Sequence, residues 1–224
     1  MSHTVTIRNI EPVTHDVKRF TFDRPDRYNF IPGQATEVSI DKEGWRDEKR
    51  PFTFTALPDK NYLEFTIKIY DDHNGVTNQL GNLHIEDRLI IREPWGTIQY
   101  QGPGVFLAGG AGVTPFIAIL RSVYQDEEEM HSNKLIFSNK TERDIILKDE
   151  FEGMLGPDFI NVITDQPTDK YTYLGGFIDK EFLEKTIDNF DQPFYVCGPP
   201  PFIDAIMGYL KELGADAESL VFEE

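Results

Sequence analysis

LAGGAGVTPFIAIL, Leu107 to Leu120, joins an apolar strand to a helix through a run of glycines. VFLAGG, which leads into it, is continuously apolar, as in a strand buried on both faces. Gly109, Gly110 and Gly112 let the backbone turn tightly and let a ligand approach it closely. Thr114 suits the N-cap of the helix and Pro115 its first position. A helix N-terminus carries unpaired N–H groups and attracts phosphate. Alone, the turn is equally a plain strand-to-helix connection, so its surroundings decide the reading.

Downstream the same rhythm repeats. KLIFSN, FINVIT, PFYVCG and SLVFEE read as strands. TPFIAILRSVYQDEEE, DIILKDEFEGML, DKEFLEKTIDNF and PFIDAIMGYLKELG read as helices between and after them. Strict strand–helix alternation predicts a doubly wound α/β parallel sheet over residues 102–224. Ligands of such sheets sit beyond the carboxyl ends of the strands. YVCGPP ends one of those strands, so Cys197, the only cysteine, would face the crevice that the glycine loop serves. Gly198 permits close approach, and Pro199 with the two prolines after it stiffens the chain and launches the next helix. Read alone, Cys197 is equally an inert strand-end side chain.

Upstream the pattern is different. TVTIRNI, VKRFTF, ATEVSI, FTFTAL, YLEFTIKIY, RLIIRE and TIQY alternate apolar and polar residues at the strand period. Turn-rich segments such as RPDRYNFIPG and DKEGWRDEKRP separate them, which predicts an antiparallel β-barrel or sandwich over residues 1–101. GVTNQLGNL reads as one short helix, and the boundary between the halves falls at Gln101–Gly104. In KRPFTFTALP, Arg50, Phe52 and Thr53 offer a guanidinium for phosphate, a ring for an isoalloxazine and a hydroxyl for its N5 edge. The same residues also make an ordinary barrel strand after a charged loop. Gly75 and Thr77 of GVTNQL provide a second phosphate cradle at a helix start.

The formal net charge of −17 argues against nucleic acid as a partner. Residues 1–101 contribute −3 of it and residues 102–224 contribute −14. DEEE, Asp126 to Glu129, reads as a solvated helix end. No apolar run approaches the roughly 20 residues of a membrane span. The N-terminus lacks the basic start and apolar stretch of a signal peptide, and with a single cysteine this fits the cytoplasm. One cysteine cannot hold a four-thiolate iron–sulfur cluster. His3, His15, His73, His84 and His131 lack metal-ligand spacing, and no Gly-x-Ser-x-Gly elbow is present.

The four stretches, in this order, resemble the ferredoxin–NADP⁺ reductase superfamily. RPFT matches its flavin motif Arg-x-Tyr-Ser/Thr, and GVT its flavin-phosphate motif Gly-x-Ser/Thr. GGAGVTP matches its nucleotide loop, and CGPP its Cys-Gly-Pro-Pro. The resemblance covers essentially the whole chain. It implies a six-stranded antiparallel flavin-binding barrel over residues 1–101 and an NAD(P)-binding domain over residues 102–224. FAD would be held by Arg50, Pro51, Phe52 and Thr53, by Ile67 and Lys68, and by Gly75, Val76 and Thr77. The pyridine nucleotide would be held by Gly110, Gly112 and Thr114, and by Cys197, Gly198 and Pro199. Lys140 or Arg143, after KLIFSN, would meet a 2′-phosphate and so favour NADPH. Thr53, Cys197 and Glu223 are the expected catalytic residues.

The implied activity is hydride transfer from NAD(P)H to bound FAD, followed by delivery of electrons to a separate carrier such as ferredoxin or flavodoxin. A free-flavin or small-molecule reductase and a non-catalytic nucleotide-binding or redox-sensing module are the rival readings. The charge split suggests that an acidic carrier docks on the barrel, near Arg24, Arg27, Lys42, Arg46 and Lys49. Three departures from the family pattern stand out. Phe52 replaces the usual tyrosine, EPWG replaces Gly-Pro-x-Gly, and Glu223 matches the family's terminal acid without an aromatic after it.

Overall fold

Six strands wrap around a phenylalanine-rich core in the computed structural model, which describes residues 2–72, 74–96, 98–125, 130–165 and 173–222. They are β1 (Ser2–Pro12), β2 (Val17–Asp23), β3 (Ala35–Ile40), β4 (Arg50–Thr53), β5 (Tyr62–Lys68) and β6 (Arg88–Arg92). All pairs are antiparallel, in the order β4-β3-β6-β1-β2-β5. A Phe54–Phe65 bridge and a 2.9 Å bond from the Thr55 N–H to the Glu64 carbonyl draw β4 towards β5, so the barrel is nearly closed. The strand period of two turns Phe20, Phe22, Phe54 and Phe65 inwards together with Val5 and Ile7. The short helix α1 (Val76–Gly81) adds buried Val76 and Leu80 to this core.

The TIQY segment is not a barrel strand. Ile98 is fully buried in the core of the second domain, so its hydrophobicity serves the seam between the two. Thr97 lies outside the described residues.

The second sheet contains β7 (Val105–Gly109), β8 (Lys134–Asn139), β9 (Phe159–Ile163), β10 (Tyr173–Gly175), β11 (Phe194–Cys197) and β12 (Leu220–Phe222). All are parallel, in the order β10-β9-β8-β7-β11-β12. The chain order reverses between β7 and β11, which opens a crevice at their carboxyl ends. Around the sheet lie α2 (Thr114–Val123), α3 (Lys148–Leu155), α4 (Lys180–Thr186) and α5 (Pro200–Glu212). Phe106 and Ala108 of β7 share one core with Phe116, Leu120 and Phe151 of α2 and α3. Val105 and Leu107 share the other with Leu183, Ile206 and Leu210 of α4 and α5. The fully apolar strand therefore covers both faces of the sheet.

Two further elements differ from the sequence reading. The three-residue β10 is too short to show a period. Helix α3 begins at Lys148, after Leu147 in a left-handed conformation (φ 52°) that ends any backward extension. The DEEE run and Glu223 lie outside the described residues. No helix among those described is long and apolar enough to cross a membrane.

Candidate nucleotide and flavin site

The glycine loop meets the end of β11 at van der Waals limits. Cys197 pairs in register with Ala108, which brings the two strand tips side by side. A Cβ on Gly112 would fall 2.6 Å from Gly198 Cα and closer still to the Cys197 carbonyl. That neighbour is backbone and cannot yield, so the position demands glycine. A Cβ on Gly198 would fall 2.7 Å from the Phe202 ring. Gly110 adopts φ 53°, the left-handed region that glycine enters freely, and a Cβ there would meet nothing.

Thr114 does not cap the helix as the sequence suggested. The loop continues as a 3₁₀ turn from Gly110 to Val113, and Thr114 is already helical. Its hydroxyl donates to the Ala111 carbonyl at 3.0 Å. Pro115 accordingly sits one position further into the helix. Pro199 occupies the N-cap of α5, with φ −58° leading into it.

Beyond the strand tips lies a cleft of about 950 Å³. Gly110, Gly112, Gly198, Pro199 and Lys140 line it. Lys68 reaches it from the barrel. Arg143, Thr114 and Cys197 do not line it, although Gly198, the residue after Cys197, does. Several lining groups escaped the sequence reading: Asn139, Thr164, Phe177, Phe202 and Tyr209 from the second domain, and Tyr70 from the barrel. The strand-end rule would have found Asn139 and Thr164, which follow β8 and β9 at their carboxyl ends. Phe177 is 75% exposed over the cleft, in a loop that no periodicity marks.

Asn139 is 4% exposed, and neither its amide oxygen nor its amide nitrogen has a hydrogen-bond partner. An unsatisfied buried amide at a cleft wall is costly unless something completes it. A glycine turn open to close approach, beside such an amide and two lysines, fits a pyridine dinucleotide.

The flavin candidates lie on β4, β5 and α1. Arg50 and Pro51 are exposed, and Phe52 and Thr53 half-buried. Arg50 donates from Nη1 to the Lys49 carbonyl at 2.7 Å, which leaves most of its fork for another partner. Ile67 and Val76 turn their side chains into the barrel core, so only their backbones can face a ligand. Nothing lies within 4 Å of where a Gly75 Cβ would be, so the first turn of α1 is open to approach. An exposed guanidinium, a half-buried ring and an open helix turn fit FAD.

Lys68 also binds Asp16 at 2.7 Å, at a seam that sequence spacing did not predict. There His15 lies 3.7 Å from both Asp16 and Asp144. The Thr14 hydroxyl donates to Asp16, and the Thr141 amide and hydroxyl to Asp144.

Most of the barrel cations expected to greet a carrier are engaged. Arg46 pairs with Asp41 at 2.8 Å, Lys42 with Asp87 at 2.9 Å and Lys49 with Glu37 at 3.7 Å. Arg24 donates to the carbonyls of Tyr28, Pro58 and Lys60. That patch is thus mixed in charge rather than basic.

Family models match nearly the whole chain: the oxidoreductase FAD-binding domain over residues 4–100 and the oxidoreductase NAD-binding domain over residues 106–207. NADH-cytochrome b5 reductase 2 of Candida glabrata is 30% identical, over 88% of this chain and 71% of its own length. NADH-cytochrome b5 reductase 2-A of Vanderwaltozyma polyspora is 29% identical, over 93% of this chain and 79% of its own. The same fold occurs in the cytochrome b5 reductase domain of Ulva prolifera nitrate reductase, with TM-score 0.85 and 22% identity over 100% of this chain and 97% of that one. It also occurs in a ferredoxin NADP⁺ reductase from Neisseria gonorrhoeae with bound FAD and NADP, with TM-score 0.83 and 19% identity over 99% and 98%.

Proposed function

Since the chain belongs to the ferredoxin–NADP⁺ reductase superfamily, we propose that it passes electrons from NADH through FAD to cytochrome b5 or a similar haem carrier. That it is an NAD(P)H-dependent flavin oxidoreductase follows from the family itself. The donor and the acceptor are the proposal. The cleft carries the most weight: a dinucleotide-sized crevice lined by Gly110, Gly112 and Gly198, with Gly112 packed on the Cys197 carbonyl behind it.

Bound flavin can accept a two-electron donor's hydride and release the electrons singly. The chain's own residues would do the rest. Arg50 pairs with a flavin phosphate, and the Thr77 hydroxyl assists at the start of α1. The Phe52 ring would support the isoalloxazine, and the Thr53 hydroxyl would offer it a hydrogen bond. Gly110 and Gly112 admit the pyrophosphate of the nucleotide, and Cys197 with Gly198 shapes the nicotinamide pocket.

NADH is favoured over the NADPH that the KLIFSN tip suggested. Of Lys140 and Arg143, only Lys140 lines the cleft, and Asp144 and Asp179 line it too. A 2′-phosphate would meet two carboxylates there, at a cost that the 2′-hydroxyl avoids. The names of the relatives support cytochrome b5 as the first carrier to test. Ferredoxin and flavodoxin are the alternatives.

Anaerobic titration with NADH and with NADPH, followed in the visible spectrum, tests the donor. Mixing the reduced protein with cytochrome b5, ferredoxin or flavodoxin in a stopped-flow instrument tests the acceptor. Faster flavin reduction by NADPH would reverse the donor. Faster reoxidation by ferredoxin or flavodoxin than by cytochrome b5 would reverse the acceptor.

A further inference from the structure

Arg121 sits on α2, the helix that the glycine loop launches, and its guanidinium crosses into the barrel. Nη1 donates to the Thr55 carbonyl at 2.6 Å and to Glu64 Oε1 at 2.8 Å. Nε and Nη2 hold Glu150 of α3 at 2.5 and 2.9 Å. The Thr55 hydroxyl donates to the same Glu64 oxygen at 2.7 Å. The side chains of Arg121 and Glu64 are 16% and 8% exposed. Burial alone would lower the Arg121 pKa, but the Glu150 hydrogen bond and the Glu64 and Glu150 charges raise it above the ordinary arginine value.

Thr55 lies two residues beyond Thr53, and Glu64 three before Ile67. The guanidinium therefore ties the β4–β5 edge of the barrel to the helix behind the nucleotide loop. Transfer between two bound groups needs reacting atoms about 3–3.5 Å apart, and a misplacement of ~1 Å can cost ~100-fold in rate. Here the two groups belong to different domains. A planar fork locked by bidentate bonds holds a geometry that a flexible ammonium does not.

We propose that Arg121 is the positioning residue that sets the flavin strands against the nucleotide loop, acting through Thr55 and Glu64 without touching either cofactor. The proposal rests on the reading that FAD lies along β4 and β5. A buried cation surrounded by carboxylates is costly to break on one side only, because the remaining charges are left unpaired. The test therefore neutralises the whole group.

The variant is Arg121→Met with Glu64→Gln and Glu150→Gln. Three quantities are read: the dissociation constant of FAD from the apoprotein, that of NAD⁺ from the holoprotein, and the rate of flavin reduction by NADH in a single turnover. The long-wavelength charge-transfer absorbance of the reduced protein with NAD⁺ is a fourth readout, because it reports how closely the two rings stack. Both dissociation constants should stay within about threefold of the parent. Reduction should slow by roughly 10–100-fold, and the charge-transfer band should weaken. Arg121→Lys should lie between the two.

Reduction and the band both unchanged would overturn the proposal. So would affinities that fall in step with the rate, which would make Arg121 a support of one binding site only. Should the triple variant fail to fold, Arg121→Lys is judged by the same two criteria. A parent protein that binds no FAD would instead refute the underlying site reading.

Discussion

Gly112 and Cys197 touch behind the crevice: the Cys197 carbonyl at the tip of β11 fills the space where a side chain on Gly112 of the nucleotide loop would stand. The contact couples the nucleotide loop to the residue expected beside the nicotinamide. Gly112→Ala should therefore push the nucleotide loop away from the β11 tip. NADH affinity should fall about tenfold or more, roughly 1.4 kcal/mol or beyond, while FAD is retained. Isothermal titration of NAD⁺ into the holoprotein checks this, and unchanged affinity would mean that the loop relaxes freely.

Arg50→Ala removes a charge-assisted contact worth about 1.5–3 kcal/mol. FAD should bind at least roughly tenfold more weakly, with the fold intact because the side chain is exposed. Fluorescence titration of the apoprotein measures it. Wild-type affinity in the variant would remove Arg50 from the flavin site.

Cys197→Ser should bind FAD as the parent does and slow its reduction by NADH. The side chain is half-buried at the end of β11, one residue before Gly198 of the cleft wall. Equal single-turnover rates for parent, Cys197→Ser and Cys197→Ala would return the residue to a packing role.

Burial pushes the Asp16 carboxyl up, but the hydrogen bonds from Lys68 and Thr14 and the Lys68 charge hold it below its ordinary 3.8. A depressed folded-state pKa adds stability above the unfolded value, and that stability is lost as pH falls through the folded one. Lys68→Met should thus lower the apoprotein melting temperature at neutral pH. The gap should close as pH falls below 3.8 and through the depressed folded-state value, where Asp16 becomes protonated in the parent as well. A gap independent of pH would assign the loss to packing.

Both halves of the fold were legible before any coordinates, for local reasons. The two-residue period of VKRFTF puts Phe20 and Phe22 inside, and those residues alone carry that information. VFLAGG and FYVC are apolar on both faces because helices cover both, so they read as buried parallel strands. The glycine loop was legible because Gly110 is left-handed and Gly112 has no room for a Cβ. Thr114 misled because its fitness to cap a helix says nothing of the 3₁₀ turn that the loop adds before it.

What chain order could not carry was every relationship that joins distant segments. Phe177, Tyr209 and Tyr70 share one cleft only because the sheet reverses its order and the barrel docks on its seam. Arg121 reads as an ordinary helix cation until folding brings Glu64, 57 residues earlier, and Glu150, 29 residues later, around it. Likewise Arg46 and Lys49 read as a basic patch until Asp41 and Glu37 fold against them. Periodicity and turn chemistry act over a few residues, and so they are written in the chain; the partner of a charge is chosen by packing, which only the closed tertiary structure decides.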